Sequence, residues 1–205
     1  MNKWFCLMIV GSFISLSGCI KILPEPSEGT ETIKLGGAMV DLVTSKKSKH
    51  DVMIGEVTGR EHLLSSRVIV EKQDNGIHTV DYLARVEWED VLSKVVQRDF
   101  RNTLSSAFKS IALESDNLKT DYLVQCDIES FDVEQKSGRF GNVVLGWYLK
   151  IIHLPSRSVV SSTFLSNISS VQGKDKQAVF NAFKKAYQEL LENSGAWILK
   201  NVDAS

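Results

Sequence analysis

A cysteine near the N-terminus has the sequence context that most clearly predicts chemistry. Cys19 directly follows residues 16–18 (LSG), so its thiol stands next to two small residues. An apolar run over residues 4–16 precedes this group, after a single lysine at position 3. The run is shorter than the roughly 20 residues that cross a bilayer, and it fits the roughly 7–15 residues of a secretory signal core. We therefore predict an export signal that takes no part in the fold.

This arrangement resembles the signal of bacterial lipoproteins, which ends in a lipobox. The resemblance implies that the thiol of Cys19 receives a diacylglyceryl group, that cleavage removes residues 1–18, and that an N-acyl chain, such as palmitate, is then added. Two or more chains anchor a protein where one chain does not. Ile20 in place of aspartate resembles cargo of the outer membrane rather than the inner membrane. The alternative is an ordinary signal peptide, or a failed transmembrane helix, with a cysteine by chance.

Composition predicts one globular domain with no global signal for nucleic acid. Hydrophobic residues make up 43% of the chain and charged residues 24%, which is average for a folded domain. The formal net charge is -1, so the polycationic balance of a nucleic-acid-binding chain is absent. Cys6 lies in the signal and Cys19 is the lipid site, which leaves Cys126 without an intramolecular disulfide partner.

No pattern of residues predicts catalysis, and no cofactor or metal site is expected beyond the covalent lipid. The four histidines lack the spacing of helical zinc ligands, and no nucleophile elbow or P-loop is present. Asp127 and Glu129 could form a carboxylate pair, but solvated strand carboxylates are the favoured interpretation. Trp88, Trp147 and Trp197 could line a lipid groove, but core positions are favoured. We predict that the protein is not an enzyme.

The chain divides into three segments. Residues 1–18 are the signal, residues 19–32 an acylated cysteine and flexible tether rich in proline and glutamate, and residues 33–205 a single domain. Residues 44–51 (TSKKSKHD) predict a solvated turn, with contact to lipid phosphates as the alternative.

The first half of the domain predicts a hairpin and then a helix. Residues 67–73 and 77–83 are rich in β-formers, and Asn75-Gly76 between them indicates a tight turn. Apolar residues then recur at spacings of three and four, which predicts one long amphipathic helix. Its apolar members are Trp88, Val91, Leu92, Val95, Val96, Phe100, Leu104, Ala107, Phe108 and Ile111.

The second half predicts three strands and a second helix. In residues 122–133 we expect Tyr122, Val124, Cys126 and Ile128 on one face, and Leu123 and Phe131 on the other. Residues 143–154 are apolar on both faces, and residues 158–171 complete an antiparallel meander after a proline turn. A last apolar face, which predicts a long C-terminal helix, comprises Val179, Ala182, Phe183, Ala186, Tyr187, Leu190, Leu191, Trp197 and Ile198.

The order and spacing of these segments resemble those of the ABC-type transport auxiliary lipoproteins, which include the PqiC-like partners of MCE-domain lipid-transport systems. The matching segments are residues 67–88, 88–108 and 121–133, followed by residues 143–151, 159–164 and the helix through Trp197. The resemblance implies an α/β fold with a mixed β-sheet and two long helices in three layers, similar to the N-terminal domain of the Tol-system protein TolB.

The resemblance also implies a function. It predicts an outer-membrane lipoprotein facing the periplasm that is a non-catalytic accessory of an ABC/MCE-type lipid-transport system. Its expected partners are the membrane, through Cys19, and an MCE-domain protein of an inner-membrane complex, and the resemblance allows homo-oligomerisation. The alternative function is a stand-alone envelope assembly or structural lipoprotein. A third interpretation, a periplasmic hydrolase, would need converging histidine, serine and acidic side chains in a pocket.

Overall fold

The computed structural model describes residues 29–35, 42, 46–74 and 76–204. Their regular elements are nine strands and two α-helices, with short 3-10 turns at Glu61–Leu64 and Glu114–Asp116. The strands are β1 (Glu31–Ile33), β2 (Ser48–Ile54), β3 (Thr58–Gly59), β4 (Arg67–Asp74), β5 (Ile77–Trp88), β6 (Phe108–Leu113), β7 (Tyr122–Lys136), β8 (Arg139–His153) and β9 (Ser158–Ser170). The helices are α1 (Leu92–Ser105) and α2 (Lys176–Asp203).

Strand β7 is the centre of one forked, mixed sheet. On one side it pairs antiparallel with β8, which pairs antiparallel with the edge strand β9. On its other side it pairs in parallel with three strands in turn: β2 at its start, β3 in the middle and β4 at its end. The sheet therefore divides into one arm that continues to β6 and another that continues through β5 to β1.

Both helices cover the same face of this sheet. Trp147 on β8 lies 5.4 Å from the ring of Phe100 on α1 and 6.2 Å from the ring of Tyr187 on α2, as measured between ring centroids. The indole nitrogen of Trp147 donates to Ser194 Oγ at 3.0 Å, which ties the middle of α2 to β8. Neither described helix covers the opposite face of β4, β5, β7, β8 and β9, and we call it the open face.

The predicted fold class is confirmed: a mixed α/β domain with a mixed sheet and two helices. The hairpin, β7, β8, β9 and α2 occupy the predicted segments. Trp88 and Trp147 are core residues, as favoured, and Trp197 packs against the core. The layering differs, because the helices share one face and form two layers with the sheet, where the prediction had three.

The first predicted helix is shorter than expected. Trp88 ends β5, and Phe108 and Ile111 lie in β6. Their spacing continues the helical pattern, but β6 pairs in parallel with β2, and tertiary pairing overrides the local pattern there. The hydroxyls of Ser105 and Ser106 donate to carbonyl oxygens three residues back, as serines do where a helix ends.

The predicted assignment of β7 side chains to the two faces of the sheet is wrong at one position, Phe131. Ile128 pairs with Trp147 and Ser130 pairs with Gly146, so Glu129 is an extra residue opposite β8 and forms a β-bulge. Because a bulge shifts the alternation of side chains by one residue, Phe131 joins the buried face with Ile128 instead of lying on the opposite face.

Two polar segments take part in the sheet. Glu31 and Thr32, which were assigned to the end of the tether, lie in β1 beside Val86 and Glu87. Residues 48–51, which were assigned to a solvated turn, begin β2, and there Ser48 is buried with its hydroxyl donating to Asp203. Both segments are too polar to be recognised as strands without their neighbours.

Candidate functional site

Cys19, the one site residue predicted from the sequence, lies outside the described residues. The candidate site within them is the open face, whose side chains the strand register arranges in rows across the sheet. Tyr82, Ile69, Asp132, Val144 and Ile168 form one row across β5, β4, β7, β8 and β9. Facing residues in such rows have Cβ atoms roughly 5 Å apart, so neighbouring side chains within a row can contact each other.

One part of the open face is apolar and exposed. Tyr148 and Phe164 are directly opposite each other on β8 and β9, with ring centroids 4.9 Å apart, and Tyr148 is 52% exposed. Phe164 also lies over Gly146, where an added Cβ would be only 2.8 Å from its ring. The absence of a side chain at Gly146 therefore leaves room on β8 for the ring of Phe164, which belongs to the edge strand β9.

Another part carries three carboxyl groups, Glu71, Asp132 and Glu134, which we call the acidic cluster. Glu71 and Glu134 are directly opposite each other on β4 and β7, and Asp132 precedes Glu134 on the same face. Asp132 is only 8% exposed, and its Oδ1 atom is buried without a hydrogen-bond partner. Burial, and then the charges of Glu71 and Glu134, raise the pKa of Asp132 to about 7.

The other two members of the cluster have polar partners. Glu71 Oε1 lies 2.9 Å from Nδ1 of His78, and Glu134 Oε2 accepts a hydrogen bond of 3.0 Å from the side-chain amide of Asn142. Asp132 lies in its row between Ile69 and Val144, which offer no polar atom from their side chains. Asp132 is therefore the member of the cluster with a buried carboxylate oxygen, Oδ1, that lacks a hydrogen-bond partner.

A cavity of about 540 Å³ opens where β3, β7 and β8 meet. Asp127 and Glu129 both line it, but they do not act as a pair: Asp127 accepts from the Thr58 hydroxyl at 2.9 Å, and Glu129 lies 3.8 Å from Arg60. The bulge at Glu129 also interrupts the regular alternation between them. Solvated strand carboxylates, the favoured interpretation, describe both residues.

Two histidines that are far apart in sequence meet at the end of the sheet. His50 and His153 flank the ring of Tyr122, each at 5.2 Å between ring centroids. His153 contacts the Ser156 hydroxyl at 2.7 Å, but the carboxylate of Asp121 lies beside His50, at 3.6 Å. In this cluster, therefore, the histidine that contacts a serine has no carboxylate to orient it, which a hydrolytic relay requires.

Comparison with known families identifies the group to which the chain belongs. The profile of the ABC-type transport auxiliary lipoprotein component family matches residues 35–193, which is most of the chain. The protein is a member of this family. The match covers every described element from β2 to the middle of α2, including the open face. No curated protein matches the sequence.

Solved structures of similar fold share little sequence with this family member. Protein XCC0632 from Xanthomonas campestris has a TM-score of 0.75 at 13% identity, covering 84% of this chain and 97% of that protein. An uncharacterised protein has a TM-score of 0.62 at 13% identity, over 83% and 99% of the two chains. The hypothetical protein CT253 from Chlamydia trachomatis has a TM-score of 0.52 at 12% identity, over 77% and 100%. These likenesses establish the fold.

The described part of this family member has no membrane-spanning helix and no metal-binding group of side chains. Neither described helix is both long and apolar enough to cross a membrane. Across residues 29–35, 42, 46–74 and 76–204, no three His, Cys, Asp or Glu residues are grouped so that they could hold a metal ion.

Sequence reasoning missed the acidic cluster. Asp132 stands between Phe131 and Val133, two fully buried residues, and that alternation was available in the sequence. Its neighbours on the open face come from β4 and β8, however, and only the strand register brings Glu71 beside it. A carboxyl group directly between two large apolar residues is the signal that could have marked the position.

Proposed function

We propose that this family member is an outer-membrane lipoprotein, anchored through lipid on Cys19, that acts as a non-catalytic accessory of an ABC/MCE-type lipid-transport system. The observation that carries the proposal is the family match over residues 35–193, downstream of a lipobox-like sequence at residues 16–19. The family supplies the role in transport, and the motif supplies the means of attachment.

The anchor has a physical basis. Each acyl CH2 group buried in a bilayer contributes about 0.8 kcal/mol, so a cysteine with a diacylglyceryl and an N-acyl chain does not dissociate unaided. Ile20, in place of aspartate, supports transfer to the outer membrane. From there the domain faces the periplasm, where it can meet an MCE-domain protein that extends from the inner membrane.

The open face supports a role in recognition. It combines exposed aromatic side chains, at Tyr148 and Phe164, with an acidic cluster, and α1 and α2 both lie on the other face of the sheet. An accessory that binds a partner needs such a surface and needs no reactive group. Lipid would pass through the complex without a covalent step, and ATP hydrolysis would belong to a cytoplasmic subunit.

Metabolic labelling and fractionation test the anchor. Cells that express the full-length protein are fed an alkyne analogue of palmitate, and the membranes are separated on a density gradient. We expect label on the wild-type protein in the outer-membrane fraction and none on the Cys19→Ala variant. Cys126→Ala is the matched control and should stay labelled, since Cys126 is buried in the core. Label that persists in Cys19→Ala would refute the anchor.

Crosslinking in intact cells tests the partner. A membrane-permeable, amine-reactive crosslinker should join the wild-type protein to an MCE-domain protein, which mass spectrometry would identify. Recovery of only a β-barrel or secretion component would instead favour a stand-alone assembly lipoprotein and would contradict the transport role.

A further inference from the structure

In the acidic cluster, one buried carboxylate oxygen has no hydrogen-bond partner among the described residues. Asp132 is more than nine-tenths buried, and its Oδ1 atom has no hydrogen-bond partner. Glu71 is engaged by His78 and Glu134 by Asn142, and both lie on the same face as Asp132. An ionised carboxylate that is buried without a partner is costly, and a cation that donates hydrogen bonds to it removes that cost.

Exposed apolar side chains stand on both sides of this group. Val80 on β5 lies directly opposite Glu71 and is 53% exposed. Ile168 on β9 lies directly opposite Val144, in the row that contains Asp132, and is 62% exposed. Val80 and Ile168 are separated by four strand spacings of about 4.8 Å, or about 19 Å in total. The cluster is thus the charged centre of a surface with an apolar margin on each side.

We propose that the acidic cluster binds an arginine or lysine side chain of a protein partner, whose neighbouring apolar side chains pack against Val80 and Ile168. The proposal extends the proposed function, because it states the chemistry that the transport partner must present. Arginine suits the site well, since its planar guanidinium group can donate to two carboxylates at once.

Charge and size favour a polypeptide over other ligands of positive charge. No three acidic, cysteine or histidine side chains in the described part of the chain are grouped to hold a metal ion, so the cluster does not form a metal cage. A small amine would contact the carboxylates but would not reach apolar residues about 19 Å apart across four strand spacings. A polypeptide segment supplies both the cation and the flanking apolar contacts.

Photo-crosslinking from defined positions locates the docking surface. The full-length, anchored protein carries p-benzoylphenylalanine at Val80, at Ile168 or, as a control on α2, at exposed Glu192. We expect irradiation of intact cells to give adducts with one protein from Val80 and Ile168 and none from Glu192. The crosslinked peptides of that protein should contain an arginine or lysine beside apolar residues.

A pair of conservative variants then tests the charge. Asp132→Asn keeps the shape of the side chain and removes its charge, and Asp127→Asn does the same at an exposed carboxylate on the same strand and face. With the crosslinked partner purified, we expect Asp132→Asn to weaken binding about tenfold or more, as for other buried charge pairs, and Asp127→Asn to change it less than about twofold. Circular dichroism checks that both variants are folded.

The outcomes separate this proposal from the proposed function. If the adducts contain an MCE-domain protein and Asp132→Asn abolishes them, both the docking surface and the proposed function are supported. If Asp132→Asn abolishes adducts with a different protein, the docking surface is supported and the MCE partnership is contradicted. Adducts with an MCE-domain protein from Glu192 alone overturn the docking surface and leave the transport role intact. Three results would each overturn the proposal. The first is equal binding of the partner by Asp132→Asn and wild type, and the second is adducts between two copies of this chain. The third is binding of calcium chloride alone, measured by calorimetry, that requires Asp132.

Discussion

Burial between two apolar side chains controls the ionisation of Asp132. Burial, followed by the charges of Glu71 and Glu134, raises the pKa of its carboxyl group from 3.8 to about 7 in the folded protein. Below about pH 4 the group is protonated in both the folded and the unfolded chain. As the pH rises towards 7, the unfolded chain ionises first, so the folded state loses stability through this interval.

The Asp132→Asn variant should therefore be more stable than wild type at alkaline pH. A shift of this size corresponds to at most about 4 kcal/mol in the free energy of unfolding, and the gain should be largest at about pH 8 and small at about pH 4. Urea denaturation of both proteins across this range measures the difference. Asp127→Asn serves as the control for a neutralised but exposed carboxylate. A wild-type protein that gains stability relative to Asp132→Asn as the pH rises would contradict the assignment.

Ser194 is a buried polar link between α2 and β8. It is fully buried, accepts from Trp147 Nε1 at 3.0 Å and donates to the carbonyl of Leu190 at 2.7 Å. Ser194→Ala leaves the indole N–H buried without an acceptor and should lower the free energy of unfolding by about 1–3 kcal/mol. Exposed Ser166→Ala should change it by less than about 0.5 kcal/mol. Equal denaturation midpoints for the two variants would mean that the indole finds another acceptor.

At the scale of elements, the bulge in β7 lets one strand serve both arms of the sheet. Glu129 lies just after the residues that pair with β3 and before those that pair with β4. The extra residue keeps Phe131 and Val133 on the helical side, where the ring of Phe131 lies 5.7 Å from that of Phe183 on α2. The same shift places Asp132 and Glu134 on the open face, so the bulge positions the core and the acidic cluster together.

Removal of the bulge should be far more damaging than removal of its charge. Deleting Glu129 would turn Phe131 towards solvent and Asp132 towards the helices, because the alternation of side chains moves by one residue. We expect the deletion to abolish cooperative unfolding, as monitored by near-ultraviolet circular dichroism and urea titration. Glu129→Gln should unfold like wild type, since its ion pair with Arg60, at 3.8 Å, is exposed. A cooperative transition in the deletion variant would show that β7 does not depend on this register.

The elements that were predictable from sequence are those whose signal is local. The tight connection between Asp74 and Ile77, which pair with each other, and the apolar face of α2 are fixed by neighbouring residues, and both are predicted from the sequence. Helix α1 was extended too far because Phe108 and Ile111 fit a helical spacing by coincidence. Strand β2 was missed because its first residues are polar and its pairing with β6 and β7 is not local. The acidic cluster depends on the non-local pairing of β4 with β7, so the sequence pattern along the chain does not predict it.

At the scale of the whole molecule, the two faces of the sheet differ in role: one packs the core, and the other is the proposed surface for a partner. The helical face contains the aromatic core, where Trp147, Phe131 and Tyr187 are almost completely buried. The open face ends in β9, an edge strand of 13 residues without a charged side chain or proline. Natural proteins usually protect edges with such residues, so an unprotected edge beside exposed Phe164 fits a surface that a partner covers.

The anchor and the folded domain should be separable, and the Cys19→Ala variant tests this for the whole protein. Every described element lies between Glu31 and Asp203, so the loss of an acyl group at residue 19 removes no described contact. We expect the purified variant to unfold at the same urea concentration as the wild-type protein in detergent, within about 0.5 kcal/mol. In cells it should leave the membrane fraction and lose transport together, because a domain released into the periplasm meets its partner at far lower effective concentration. Normal transport by this unanchored protein would show that docking through the open face is sufficient and that the anchor is incidental.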